Sequence, residues 1–258
     1  MKLTVLGGSA AGPNTGAGCA GFLVTEGDTA IVIDMGPGTL LELRKHLDFR
    51  LLNAIVISHC HLDHILDLAA FRYLAMYNPD PLTRRLPLFV PPGSVDRFSN
   101  WTSAFGDEDD ETFLEDVFAM AEYDPATSLD IGSIAIAFSR TFHPVPAWAM
   151  RVAGPGSNDL GYSADTGPVA LDSLTRFFSG VSLLISESTE PADTQDTADK
   201  RGHLTAQEAG TLAASAGAST LILTHRWQEL GLELGADEAG ATFSGQIMIA
   251  RPGLSVFL

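Results

Sequence analysis

Only two cysteines, Cys19 and Cys60, occur in 258 residues, too few for a disulfide framework. The chain therefore reads as one with reduced thiols in a cytosolic setting, held by its core and by any metal it binds. No stretch approaches the length of a membrane-spanning helix. The apolar start Leu3-Thr4-Val5-Leu6 runs straight into Gly7-Gly8 and is too short for a signal peptide. A soluble, cytoplasmic protein is the expectation. Basic charge is also scarce: 15 Lys and Arg face 32 Asp and Glu, for a net charge of −17. Proteins that grip long nucleic acids normally carry basic patches, because counterion release drives that binding. Here Arg84-Arg85 and Lys200-Arg201 are local exceptions. The balance argues against long polyanions as partners. It leaves open a small phosphate ester held at a metal, since bound divalent cations reverse the local field.

What the chain does have is apolar content, 45% of its residues, enough to fill a sizeable core. We read residues 1–258 as a single α/β domain. Short runs rich in Val and Ile mark strands at Leu3 to Leu6, Phe22 to Thr25, Ala30 to Ile33, Ala54 to Ile57, Leu86 to Val90, Ile131 to Phe138, Leu183 to Ile185 and Leu221 to Leu223. Helical spacing appears at Gly38 to His46, Ile65 to Tyr77, Val169 to Phe178 and Thr205 to Ala216. The last of these opens on Thr205-Ala206-Gln207-Glu208, the form of a capping box. The acidic run Gly106 to Glu111 precedes a further helical pattern from Thr112 to Met120 and reads as solvated charge complementing a helix N-terminus. The Gly-rich segment Gly7 to Gly21 lacks the Lys-Ser/Thr ending of a P-loop, so it reads as a close-packing loop that lines something. Glu190 to Gly202 is polar and reads as a surface loop.

The stretch Ile57-Ser58-His59-Cys60-His61-Leu62-Asp63-His64 puts three of the seven histidines and a carboxylate into six residues. It lies on a strand-to-helix turn, where α/β sites usually sit. The bland alternative is a His-rich surface turn or a set of satisfied core histidines, but such a density is hard to assign to chance. A single tetrahedral ion would use two or three of these donors, and two neighbouring ions divide four more easily. Two ions need further donors. His143 and His225 both follow apolar strands, and Asp165 lies in Ser163-Ala164-Asp165-Thr166-Gly167. Each alone is more often a cap or turn residue, yet beside the cluster they become the expected partners, with Asp165 as a bridge between two cations around a shared hydroxide. His46 lies among charged residues in a helical pattern and takes no functional role. Cys60, between two histidines that face the metals, should point away.

This pattern, His59-x-His61-x-Asp63-His64 followed by His143, Asp165 and His225, together with Asp34 and the Gly-rich start, resembles the metallo-β-lactamase superfamily across nearly the whole chain. The resemblance implies an αβ/βα four-layer sandwich, two β-sheets face to face with helices outside and metals at one edge. The segment Gly202-His203-Leu204-Thr205 is similar to the His-x-Thr element of the ribonuclease Z and phosphodiesterase branch. That branch implies His59, His61 and His143 on one zinc, Asp63, His64 and His225 on the other, and Asp165 between. It further implies His203 serving the leaving oxygen, Asp63 helping to orient the nucleophile, and Asp34 orienting ligands from behind. Manganese or iron would suit the same donors as zinc. Many related enzymes form homodimers.

Ribonuclease Z proper carries a long basic arm between the equivalents of Asp165 and His203, and none is visible here. With the acidic balance, this favours a small phosphodiester, a cyclic nucleotide foremost, over transfer-RNA processing. Arylsulfatase or lactonase chemistry is a further enzymatic alternative, and a metal-stapled binding module using the acidic 106–116 region is a non-enzymatic one. Arg226-Trp227, directly after His225, either pins a phosphate and stacks on a base or packs outside the site.

Overall fold

The computed structural model describes residues 1–102 and 113–258. The acidic run Gly106 to Glu111 lies outside the described residues. The first half of the chain supplies strands β1 (Lys2–Ser9), β2 (Gly18–Cys19), β3 (Gly21–Glu26), β4 (Thr29–Ile33), β5 (Ala54–Val56), β6 (Leu86–Val90) and β7 (Phe118–Glu122). The second half supplies β8 (Leu129–Ile131), β9 (Ile134–Arg140), β10 (Trp148–Ala153), β11 (Leu160–Tyr162), β12 (Leu183–Glu187), β13 (Thr220–Thr224), β14 (Gln246–Ile249) and β15 (Ser255–Phe257). The helices are α1 (Thr39–His46), α2 (Leu62–Ile65), α3 (Asp67–Tyr77), α4 (Val95–Thr102), α5 (Leu171–Phe177), α6 (Ala206–Ala216) and α7 (Leu232–Gly240).

One sheet runs in the order β15-β1-β3-β4-β5-β6-β7, with β2 beside β1, and the other runs β14-β13-β12-β11-β10-β9-β8. Alternation along the strands explains why they stack. In β4, Ile31 and Ile33 join Val5, Phe22, Ile136, Met150 and Ile185 in a core between the sheets. Ala30 and Val32 point the other way, against Leu43, Leu68 and Phe71 of α1 and α3. In the second sheet Leu184, Leu221 and Leu223 meet Leu174, Ala209 and Leu212 of α5 and α6. Strands apolar on both faces must be covered on both faces, and three separate cores between four layers are the result. The fold is the αβ/βα four-layer sandwich. No helix among the described residues is long and apolar enough to cross a membrane.

Two readings are corrected. Ile131 to Phe138 is a hairpin, β8 and β9, turning at Gly132-Ser133, where Gly132 takes a φ of +56° that glycine adopts without penalty. The described part of Thr112 to Met120 is not helical: Phe113 to Val117 form turns and Phe118 begins β7, paired in parallel with β6 through Leu86↔Phe118. The spacing of Phe113, Leu114, Val117 and Phe118 mimics a helix, but all four are buried in the layer beside α3. Pairing to an open sheet edge outweighs propensity there. The capping box at α6 is present, with Thr205 and Glu208 satisfying each other's backbone N–H.

Candidate metal centre

The donors converge because several strands deliver them from one end. His59 follows β5, His143 follows β9, Asp165 follows β11 and His225 follows β13. Strands β11, β12 and β13 are mutually parallel, and β9 runs with them because β10 is antiparallel to both β9 and β11. Their carboxyl ends therefore open on the same side, the usual location of α/β sites. Backbone strain is concentrated here as well. Among the described residues Asp34, Ala164 and His225 are the non-glycine residues with positive φ, at 56°, 50° and 52°. Such positions cost about 1–3 kcal/mol each and persist where surrounding structure enforces them. Close approach does the rest: a Cβ on Gly36 would lie 1.8 Å from the Asp63 carbonyl oxygen, so only glycine lets the loop after β4 rest against the histidine turn.

Two donor groups that share a carboxylate result, beside a third made of Glu187, His203 and His225. His59, His61, His143 and Asp165 form one, and Asp63, His64, Asp165 and His225 the other; within each, one donor atom per residue lies within 4.8 Å of all the rest. Asp165 belongs to both. His61 Nδ1 is 3.2 Å from His59 Nε2 and 3.0 Å from His143 Nε2. Asp165 Oδ2 is 3.5 Å from both His59 Nε2 and His225 Nε2. In the second group His225 Nε2 is 2.9 Å from Asp63 Oδ2 and His64 Nε2 3.4 Å from it.

Hydrogen bonds behind the rings decide which nitrogen faces inward. His143 Nδ1 must donate to the Gly202 carbonyl at 2.9 Å, and His64 Nδ1 donates to Asp34 Oδ2 at 2.8 Å. Ser58 Oγ gives its proton to Asp34 Oδ2, so it accepts from His59 Nδ1 at 3.1 Å. Thr189 Oγ1 gives its proton to Glu187 or to the His225 carbonyl and so accepts from His225 Nδ1 at 2.7 Å. In the neutral ring each of these four histidines thus presents the bare lone pair of Nε2 to the centre. Burial pushes His59, His61 and His143 below the ordinary histidine range, toward that neutral form. Lone pairs and carboxylate oxygens aimed at one another are repulsive unless a cation lies among them. His64 Nε2 and Asp165 Oδ1 are buried without a hydrogen-bond partner, as atoms meant for a metal would be. The residues fit divalent cations. Burial works against the charge on Asp165, but His225, His64 and His59 hold it well below the usual carboxylate range.

His203 stands beside both groups, its ring 5.0 Å from that of His143 and stacked at 5.5 Å on that of His225. Its Nδ1 bonds Glu187 Oε1 at 3.0 Å. Burial opposes protonation, yet the Glu187 carboxylate beside it wins, and His203 is raised to about 9. Sequence reasoning missed Glu187, Thr189, Ser58 and Tyr162, whose hydroxyl donates to Asp34 Oδ2 at 2.8 Å. An acidic residue closing an apolar strand was the available signal for Glu187. Asp34, expected to orient ligands from behind, accepts from the Nδ1 of one candidate donor, His64. His46 bonds Glu42 within its own helix, and Cys60 turns from the donors to Ser94 Oγ, 3.1 Å away. Arg226 is a correction to the phosphate-pinning alternative. It is buried, and its guanidinium is spent on Glu238 and the carbonyls of Ser188, Leu230 and Gly231.

A chain that folds into this sandwich and gathers these donors at its edge is a metal-dependent hydrolase of the metallo-β-lactamase class. The family model described as beta-lactamase superfamily domain matches residues 29–226, and the chain belongs to that superfamily. It is 31% identical over 256 residues to the probable metallo-hydrolase YhfI of Bacillus subtilis, with 98% of each chain covered. The crystal structure of YhfI superposes with a TM-score of 0.86 at 29% identity, over 99% of this chain and 98% of that one. Ribonuclease Z of Streptomyces coelicolor is 26% identical over 298 residues, 97% of this chain and 95% of its own length.

Proposed function

We propose that the protein is a metal-dependent phosphodiesterase acting on a small phosphodiester, a cyclic nucleotide foremost. Two divalent cations, zinc by donor type, would be held by His59, His61 and His143 on one side and by Asp63, His64 and His225 on the other, with Asp165 between them. Bound there, they would supply Lewis acidity to the phosphoryl oxygens and a water of lowered pKa. The observation that carries the reading is His203 with Glu187 at its back. With Nδ1 engaged by Glu187, Nε2 is the nitrogen left to serve a departing alkoxide, and the raised pKa keeps a proton on the ring at neutral pH. Asp63, whose Oδ2 lies 2.9 Å from His225 Nε2, would hold a cation together with that nitrogen and help to orient the nucleophile. Relatedness to a ribonuclease Z supports phosphodiester chemistry. Against an RNA-sized substrate stand the net charge of −17 and the chain between Asp165 and His203, which forms a 3-10 turn (Pro168–Ala170), α5, β12 and a polar loop.

The test is metal analysis with turnover of bis(p-nitrophenyl) phosphate, cyclic AMP, a lactone and an aryl sulfate, for wild type and His203→Ala. The expected result is turnover of the phosphodiesters alone and a loss of about 10²- to 10⁴-fold in kcat for the variant at unchanged metal content. Two bound metals without turnover of any of the four esters would refute the proposal and favour a metal-stapled binding module, and a kcat indifferent to His203→Ala would remove His203 from the leaving-group role.

A further inference from the structure

His203 sits at the crown of a short arch, Gly202 to Leu204, between the polar loop and α6. Both feet of the arch are tied to one carboxylate. Arg201 Nη1 and Nη2 donate to Glu208 Oε2 and Oε1 at 2.8 and 2.5 Å, and the Thr205 N–H donates to Oε2 at 2.8 Å. A capping box alone needs only the bond from Thr205. The added fork draws in the residue on the far side of His203, and a bidentate pair fixes direction as well as distance. Arg201 is 8% exposed and its Nε is buried without a hydrogen-bond partner, so its guanidinium is held through the fork to Glu208. The arch in turn rests directly on the metal centre. The Gly202 carbonyl accepts from His143 Nδ1 at 2.9 Å, and His203 Nδ1 meets Glu187 Oε1 at 3.0 Å. A Cβ on Gly167, two residues after Asp165, would lie 1.8 Å from the Arg201 carbonyl oxygen, so the loop that follows the shared carboxylate packs on the foot of the arch. On the other side the Leu204 carbonyl accepts from the Glu190 N–H at 2.9 Å.

We propose that Arg201 is the positioning residue for His203, acting through the carboxylate of Glu208 that it shares with Thr205. The inference rests on the phosphodiesterase reading and adds what holds its leaving-group residue in place. Glycine at 202 leaves the backbone of the arch free to take other conformations. A Cβ there would meet Pro144 Cδ at 2.7 Å, so the crown cannot be stiffened by a larger residue. Its rigidity has to come from its feet. Pinning a phosphate, the other use of an arginine near such a site, is closed to Arg201 because Glu208 holds both Nη atoms. A joint that served stability alone would be filled as well by apolar side chains of like size, since desolvation offsets most of the attraction in a buried ion pair. The fork adds orientation instead. Displacing a reacting group by about 1 Å can cost about 10²-fold in rate, so a foot that slips is enough to part His203 from the leaving oxygen.

The test is a double-mutant cycle of Arg201→Met with His203→Ala, read as kcat at matched zinc content on cyclic AMP or, where that is not turned over, on bis(p-nitrophenyl) phosphate. Arg201→Met alone should lower kcat about 10- to 100-fold with KM little changed. In the His203→Ala background the same substitution should change kcat by less than about 2-fold, because nothing is left to position. Equal loss in both backgrounds would reduce Arg201 to a structural role and overturn the proposal, as would an unchanged kcat in the single variant. Glu208→Gln carries the same cycle should Arg201→Met fail to fold, since glutamine there keeps the capping box but not the charged fork. Hydrogen exchange of the metal-free protein reads the arch without turnover. The Glu190 amide, held by the Leu204 carbonyl, should exchange roughly 10-fold faster in Arg201→Met than in wild type, and an unchanged rate would overturn the proposal. If wild type hydrolyses neither ester, the phosphodiesterase reading fails separately, and the exchange rates alone decide whether Arg201 places the arch.

Discussion

Asp34→Asn is the sharpest perturbation available, because it changes charge and hydrogen-bond polarity while altering no shape. Asp34 Oδ2 receives protons from Ser58 Oγ, His64 Nδ1 and Tyr162 OH, and Oδ1 receives the Ser58 backbone N–H. Every group around it is a donor, and a carboxylate only accepts. An amide must turn its NH2 either on the three donors or on Ser58 N–H, and asparagine tolerates the left-handed φ of 56°, so backbone strain adds nothing. In the better orientation Ser58 N–H and the new NH2 are both stranded in a fully buried site. At about 1–3 kcal/mol for each buried unsatisfied group, the two together should cost about 2–6 kcal/mol. For a chain of this size that is a fall of roughly 4–24 °C in Tm. Since Asp34 also fixes which nitrogen of His64 faces the centre, zinc affinity should drop about 10- to 100-fold. Calorimetric melting of metal-free protein and chelator competition for zinc measure the two effects. Tyr162→Phe, which removes one donor and leaves the carboxylate three, should cost only about 1 kcal/mol. An Asp34→Asn protein that melts within about 1 °C of wild type and binds zinc as tightly would refute the account.

Glu187→Gln should shift the alkaline limb of the kcat profile to lower pH. His203 as general acid works only while protonated, and the Glu187 carboxylate is what raises it, against burial, from 6.5 to about 9. Because the folded value is the higher one, the pair's contribution to stability is complete below about pH 6.5 and is lost as pH rises through about 9. Melting curves of the two proteins should therefore differ most at acid and neutral pH and converge above pH 9, and a kcat limb that does not move would reject the Glu187 role. Arg226→Ala should strand the Glu238 carboxylate and three carbonyls, costing about 3–5 kcal/mol with KM unchanged. A raised KM at intact stability would return Arg226 to the substrate site.

Much of this was legible in the linear chain because the signals are local. Alternating Val and Ile runs mark β4, β5, β12 and β13, Thr205-Ala206-Gln207-Glu208 marks the start of α6, and the spacing of His59, His61, Asp63 and His64 announces metal-grade donors on one turn. Where local and tertiary demands differ, the chain alone misleads. Phe113 to Phe118 has helical spacing but is claimed by the open edge of β6, and Arg226 has the character of a phosphate ligand but is claimed by Glu238. The sequence by itself determined the donor types, the acidic field around them and the layered pattern of apolar faces, since each depends on residue identity and short-range spacing. Only the tertiary structure decided that Glu187, Thr189, Ser58 and Tyr162 stand behind the histidines and that Nε2 is the inward atom of four rings. Those outcomes depend on parallel strands ending together and on which hydrogen-bond partner waits behind each ring, relations between residues up to 128 positions apart, as Asp34 and Tyr162 are, that no local pattern encodes.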